Sequence, residues 1–293
     1  MAKNTIRKAI LPVAGFGTRF LPATKAQPKE MLPVVDKPVV QYIVEELVAS
    51  GIEDIIFVTG RGKRAIEDHF DISYELEDTL VQKQKHELVK AVQDIPNLAR
   101  FTFVRQKTAK GDGDAINQAA HLIGKDEAVI VVFGDCLYDS KTPNSKQLIK
   151  AYDTYNAPII GLAEVPMNEV SKFGVIDGKQ VDKKIWKIKS FVEKPKKEEA
   201  PSNIVVPGKY ILTPEVFKRL GKLKEWKSGE QRLADVFDAM LQEGKPLYGC
   251  MLDGEWLDTG DKFNFVKATI HLGMKHPEIG EKLREYIRNL QIK

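Results

Sequence analysis

An apolar run that breaks directly into a glycine-rich, cationic stretch constrains this chain more than any other feature. Ala9-Ile10-Leu11 with Val13-Ala14 reads as a buried first strand, and Gly15-Phe16-Gly17-Thr18-Arg19 follows at once, with Lys29-Glu30 further on. Glycine tolerates backbone angles and close approaches that a Cβ forbids, so successive N–H groups there can converge on an anion. Thr18 adds a hydroxyl donor, Arg19 a planar fork and Lys29 a mobile point charge. Two readings fit: a loop that binds polyphosphate, and a plain turn leaving a strand. Neither familiar phosphate motif is complete, because Phe20 stands where the third glycine of a dinucleotide loop belongs and no Gly-Lys-Ser/Thr closes a P-loop.

The next segments alternate between helical and strand periodicity. Val40, Ile43, Val44 and Leu47 predict a helix over 39–50 that Gly51 ends, and Asp54 to Thr59 is a short β-branched run. Strand, helix, strand in this order requires a parallel sheet with right-handed crossovers. Ala128 to Phe133 is apolar throughout, as in a central strand buried on both faces, and helices are expected over 146–155, 215–221, 232–243 and 277–290. Leu76, Leu80, Leu88 and Val92 predict one charged amphipathic helix over 74–94, lying on the body of the domain or against another subunit. The expected fold is α/β and doubly wound, with a mostly parallel Rossmann-like sheet in three layers. A single domain over 1–293 is expected, in two main parts over 1–140 and 141–260 and helices over 261–293.

A second glycine-rich strand-to-helix turn, Lys107 to Ala115, follows the strand that ends at Gln106. Ligands of doubly wound sheets sit outside the carboxyl ends of strands, so both turns can face one crevice. Gln106 offers an amide suited to a pyrimidine edge, and Gly111 and Gly113 let a flat base approach the backbone. Asp135, after the central run, is placed either to seat a hard cation or simply to make a turn. Glu193-Lys194 reads equally as a ligand pair or a solvated strand edge.

Composition excludes several classes. The 45 basic residues are nearly balanced by 41 acidic ones, and no basic run is interleaved with aromatics, which argues against a nucleic-acid surface. No run approaches the roughly 20 apolar residues of a membrane span, and MAKNTIRKAI lacks a signal-peptide core. Cys136 and Cys250 are far apart without metal-ligand spacing, which fits a reducing cytoplasm. Cys136 is expected to be a small buried side chain rather than a nucleophile.

The stretch from Leu11 to Lys29, with Glu30-Met31-Leu32-Pro33 and Asp36-Lys37-Pro38 after it, resembles the opening motif of the sugar-phosphate nucleotidyltransferases. The resemblance covers nearly the whole chain and is strongest to members that join UTP and glucose 1-phosphate into UDP-glucose and pyrophosphate. It implies catalytic roles for Arg19, Lys29 and Lys194, and nucleotide contacts at Ala14, Gly15, Gly17, Thr18, Glu30, Gln106, Gly111 and Asp135. It also implies that 1–140 serves mainly the nucleotide and 141–260 mainly the sugar, with sugar contacts at Gly174, Glu193, Lys194 and Asn203, a Mg2+ ion on Asp135 and Asp258, and association into a homodimer or homotetramer. Departures keep alternatives open. Asp112-Gly113-Asp114 replaces the Leu-Gly-His expected of such members, and Trp256-Leu257-Asp258-Thr259-Gly260 is also close to the related thymidylyltransferases. Another nucleotide and hexose phosphate pair is therefore the nearer alternative. A non-catalytic nucleotide-sugar sensor, favoured only by Cys136 in place of a second acid, is the distant one.

Overall fold

A computed structural model describes residues 6–222 and 229–290. The first part of the chain forms β1 (Lys8–Pro12), β2 (Pro33–Val34), β3 (Lys37–Pro38), α1 (Val39–Ala49), β4 (Asp54–Thr59), α2 (Arg64–His69), α3 (Tyr74–Gln82), α4 (His86–Asp94), β5 (Arg100–Arg105), α5 (Asp112–Gln118) and β6 (Val129–Val132). The remainder forms β7 (Cys136–Asp139), α6 (Asn144–Tyr155), β8 (Ile159–Glu164), β9 (Gly174–Asp182), β10 (Ile185–Glu193), β11 (Ile204–Val206), β12 (Lys209–Leu212), α7 (Pro214–Leu220), α8 (Leu233–Gln242), β13 (Tyr248–Met251), β14 (Glu255–Asp258), α9 (Lys262–Lys275) and α10 (Gly280–Asn289). Of the carboxy-terminal segment 261–293, residues 291–293 lie outside the described residues.

One ten-stranded sheet runs through both parts in the order β11-β9-β10-β13-β8-β12-β6-β1-β4-β5. The parallel arrangement expected from the sequence holds for β6, β1, β4 and β5. Beyond β6 the sheet turns mainly antiparallel: β12 runs against β6 and β8, and β10 against β13 and β9. Successive residues of β1 point to opposite faces, Ala9 and Leu11 into the core beneath α1 and α6, and Ile10 into the core beneath α5, α7 and α8. Helices on both faces make the architecture doubly wound and three-layered.

The segment 204–212 runs along one edge of β8 in two pieces, β11 and β12. Between the pairs Val205↔Ala163 and Tyr210↔Ile160, five residues of one strand advance against three of the other. The slack at Pro207-Gly208 is a bulge, and it lets β11 also pair with β9. The sheet opens there, above the end of β6.

The single helix expected over 74–94 is instead two. Gln84 adopts a left-handed backbone, Lys85 N donates to Leu80 O (3.0 Å) and Gln84 N to Val81 O (2.9 Å), which is a Schellman stop. The two helices fold onto each other, linked by Gln93 Nε2 donating to Glu77 Oε2 (2.9 Å), and their leucine stripe stays open: Leu76 and Leu88 are 46% and 50% exposed. The terminal helix expected over 277–290 begins at Gly280 and packs on α9, where Leu283 lies over Gly273. Among the described residues no helix is long and apolar enough to cross a membrane.

Candidate active site

Two adjoining cavities open at the carboxyl ends of β1 and β6, where the glycine-rich turns project. The smaller, about 360 Å³, is lined by Ala14, Gly15, Lys29, Glu30, Gln106, Gly111, Gly134 and Glu230. The larger, about 530 Å³, is lined by Arg19, Lys172, Phe173, Gly174, Glu193, Lys194, Pro207, Gly208, Trp256 and Asp258. Asp112, Phe133 and Asp135 face both, so Asp135 stands at the junction.

The two acids named as cation ligands come together through a strand pairing. β7 begins directly after Asp135 and pairs antiparallel with β14, setting Asp258 opposite Cys136. Thr259 then secures the Asp135 backbone, its N–H and hydroxyl both donating to Asp135 O (3.2 and 3.0 Å). A Cβ built on Gly260 would lie 2.9 Å from Asp258 Oδ1 and 3.2 Å from Asp135 Oδ2, so both carboxylates approach one point. Lys29 Nζ donates to Asp135 Oδ2 at 2.6 Å. Burial alone would raise the Asp135 carboxyl, but the charge and hydrogen bond of Lys29, with Arg19 further off, hold it below the ordinary carboxylate range. Asp258 goes the other way: burial raises it against the bond donated by Gly260 N, and the charges of Asp135 and Asp261 add to the rise that Lys29 opposes. Hard oxygen donors with surplus negative charge are what a small divalent cation requires, and Mg²⁺ takes only one or two carboxylates beside substrate phosphates. The donor set therefore fits that ion.

In the larger cavity, Gly174 is required sterically, since a Cβ there would meet the Phe191 ring at 2.5 Å. Glu193 is held near Lys194 (3.7 Å), and Lys194 takes a left-handed backbone at φ 47 immediately after β10, with its N–H donating to Phe173 O. Such a conformation costs of order 1 kcal/mol and aims this side chain away from the strand's regular alternation. Trp256 closes the wall, tilted against Phe173 with centroids 4.9 Å apart.

In the smaller cavity, Gly111 has a reason the sequence did not disclose. Residues 230–232 cross over the turn: Gly113 N donates to Gln231 O (2.8 Å), and a Cβ on Gly111 would sit 2.4 Å from that oxygen. The two unexpected acids are absorbed by the same packing. Asp114 accepts from Gln106 Nε2 (2.7 Å) and Gln118 Nε2 (3.1 Å). Asp112 accepts from the N–H of Gly113 (2.7 Å) and of Leu233 (3.1 Å), tying the turn to the start of α8. Burial pushes the Asp112 carboxyl up to about 6 against those two bonds. The folded chain thus holds this proton more tightly than the unfolded one, so the contribution is full below the ordinary 3.8 and is lost as pH rises through 6. Asp112→Asn, which keeps an acceptor oxygen, should remove a pH-dependent loss on the order of 2 kcal/mol. Denaturant melts of both proteins from pH 4 to 7 check this; parallel curves would contradict it.

Not every expected residue joins the cavities. Gly17, with φ 65, and exposed Thr18 lie outside both linings, and Arg19 lines the larger cavity, its Nη1 donating to Gly260 O (3.3 Å). Asn203 is exposed and uses its carbonyl to accept from Val165 N, because it precedes β11 on the β8 side; Pro207 and Gly208 take its place in the wall. Glu30 lines the smaller cavity, but its carboxylate is held by Lys63 Nζ at 2.7 Å, with both side chains at least 95% buried. Lys63 went unnoticed in the sequence, although the Gly60-Arg61-Gly62 turn before it matches the position of the first glycine loop one strand over. Cys136 is buried and its thiol is pushed far up by that burial, as expected of an inert side chain.

The family model for nucleotidyl transferases matches residues 8–274, and the chain belongs to that family. The UTP–glucose-1-phosphate uridylyltransferase of Staphylococcus haemolyticus is 47% identical over 285 residues, spanning 97% of this chain and 98% of that protein. A solved UDP-glucose pyrophosphorylase from Acinetobacter baumannii has a TM-score of 0.90 at 36% identity, covering 98% of this chain and 100% of that one. A UDP-glucose pyrophosphorylase complexed with UDP-glucose has a TM-score of 0.83 at 39% identity, covering 92% and 100%.

Proposed function

We propose that this chain is a UTP:glucose-1-phosphate uridylyltransferase, forming UDP-glucose and pyrophosphate. One observation carries the reading: two adjoining cavities, one lined by both glycine turns and the other by Glu193 and Lys194, meet at Asp135, with Lys29 and Asp258 beside it. The sugar phosphate oxygen attacks the α-phosphorus in line and pyrophosphate leaves. Both reactants are phosphates, so positioning and charge neutralisation carry the rate without a protein nucleophile. Lys194 holds the sugar phosphate, Glu193 accepts from sugar hydroxyls, and Lys29 with Arg19 neutralises the phosphates. Gln106 reads the base. Asp135 and Asp258 would hold Mg²⁺, which when bound supplies further charge neutralisation between the two substrates. Two buried free cysteines agree with a reducing cytoplasm as its setting.

Pyrophosphate release from a panel of nucleotides and hexose phosphates tests the reading. UTP with glucose 1-phosphate should be the best pair; preference for dTTP or for an N-acetylated hexose phosphate would overturn the assignment of substrates. Within that assay, Lys194→Ala should raise the KM for glucose 1-phosphate at least about tenfold, with the KM for UTP within about twofold, as expected for a lost charge-assisted bond to one substrate. An equal effect on both substrates would move Lys194 away from the sugar phosphate.

A further inference from the structure

We propose that Asp114 sets the nucleobase preference of this chain by fixing which way round the Gln106 carboxamide stands. A glutamine amide presents either a donor or an acceptor to a ligand, and only its partners decide which. Here both N–H bonds are engaged: Gln106 Nε2 donates to Asp114 Oδ2 at 2.7 Å and to Gly111 O at 3.1 Å. Both Asp114 oxygens accept here, so the amide cannot turn over without bringing its own oxygen against Asp114 Oδ2. Asp114 is itself 8% exposed, and Gln118 Nε2 donates to its other oxygen at 3.1 Å from the same helix. It sits in the first turn of α5, where negative charge is favoured. Gln106, also 8% exposed and lining the smaller cavity, is left with its oxygen as the only group to offer.

An obligatory acceptor at that wall matches a base carrying an imide N–H, as uracil and thymine do. Cytosine presents a bare ring nitrogen at the same place, and two acceptors then face each other unpaired. A site built to pair one polar group rejects a ligand lacking it strongly, because the buried partner is left unsatisfied. Asp114 touches no substrate and is a positioning residue.

This inference rests on the reading that Gln106 contacts the base, and the experiment separates the two. The ratio of kcat/KM for UTP over CTP, with glucose 1-phosphate saturating, is measured for wild type, Asp114→Asn, Gln106→Ala and the double variant. Asp114→Asn keeps the shape but offers Gln106 either polarity. Its UTP/CTP ratio should fall at least about tenfold, with the KM for glucose 1-phosphate within about twofold. In the Gln106→Ala background the same change should leave the ratio where Gln106→Ala alone put it. An equal loss on both nucleotides, or an unchanged ratio, overturns the proposal while Gln106→Ala still lowers the ratio. If Gln106→Ala leaves the ratio unchanged, the base reading itself falls, and this inference with it. Should Asp114→Asn fail to fold, Gln118→Met, which releases the other oxygen of Asp114, should lower the ratio about threefold, and no change would overturn the proposal.

Discussion

Asp135→Asn should lower kcat by about a thousandfold while leaving the circular dichroism spectrum unchanged, the size expected when several kcal/mol of charge stabilisation at the reacting phosphate are lost. The residue faces both cavities, holds Lys29 at 2.6 Å and shares one approach point with Asp258. No other described residue meets all three conditions. Its backbone, however, is secured by Thr259 through the carbonyl, which the substitution leaves in place. The loss should therefore appear in turnover and not in folding. Titration with Mg²⁺ at saturating substrates checks it: activity restored to within about tenfold of wild type at high metal would remove Asp135 from the centre of the reaction.

Lys63→Met should destabilise the fold by about 3 to 5 kcal/mol, since it strands the Glu30 carboxylate in a site that admits almost no water. Burial pushes the Glu30 carboxyl up and Lys63 opposes it, so removing the cation leaves the unfavourable influence uncompensated. Glu30 stands in the short turn right after Lys29, beneath Gly134, where a Cβ would meet Glu30 Cγ at 2.8 Å. The ion pair thus supports both the cationic loop and the segment that carries Asp135. Adding Glu30→Leu to Lys63→Met should recover most of the loss, because two apolar side chains replace a buried pair at little net cost. Urea unfolding of the three variants decides it; a loss below about 1 kcal/mol for Lys63→Met would show that the pair is wetted and of little weight.

What the sequence showed of this fold follows from the range of the interactions involved. β1, β4 and β6 were legible because strands buried on both faces must be apolar throughout, and α1 because its stripe repeats at helical spacing. The break at Gln84 was not, since a left-handed non-glycine stop leaves no residue-type signature. Asp135 and both glycine turns announced themselves locally. Their partnership with Asp258 depends on β7 pairing with β14 across more than a hundred residues, and only the family resemblance suggested it. Asp112 and Asp114 looked foreign to a nucleotide site because their charge was visible and their partners were not. Gln106 and Gln118 satisfy Asp114, while Gly113 and the far-off Leu233 satisfy Asp112, and a residue's letter alone does not say which backbone or amide group will reach it. The wall of the larger cavity carries Pro207-Gly208 and not Asn203 for a similar reason: a bulge moves a side chain by changing register, which composition does not record.

A single direct displacement at the junction of the two cavities leaves its record in the stereochemistry at phosphorus. One diastereomer of UTP carrying sulfur on the α-phosphate, incubated with glucose 1-phosphate, should yield a UDP-glucose analogue of inverted configuration, as one in-line attack demands. Retention would require two displacements and a covalent intermediate on the protein, and would contradict the account.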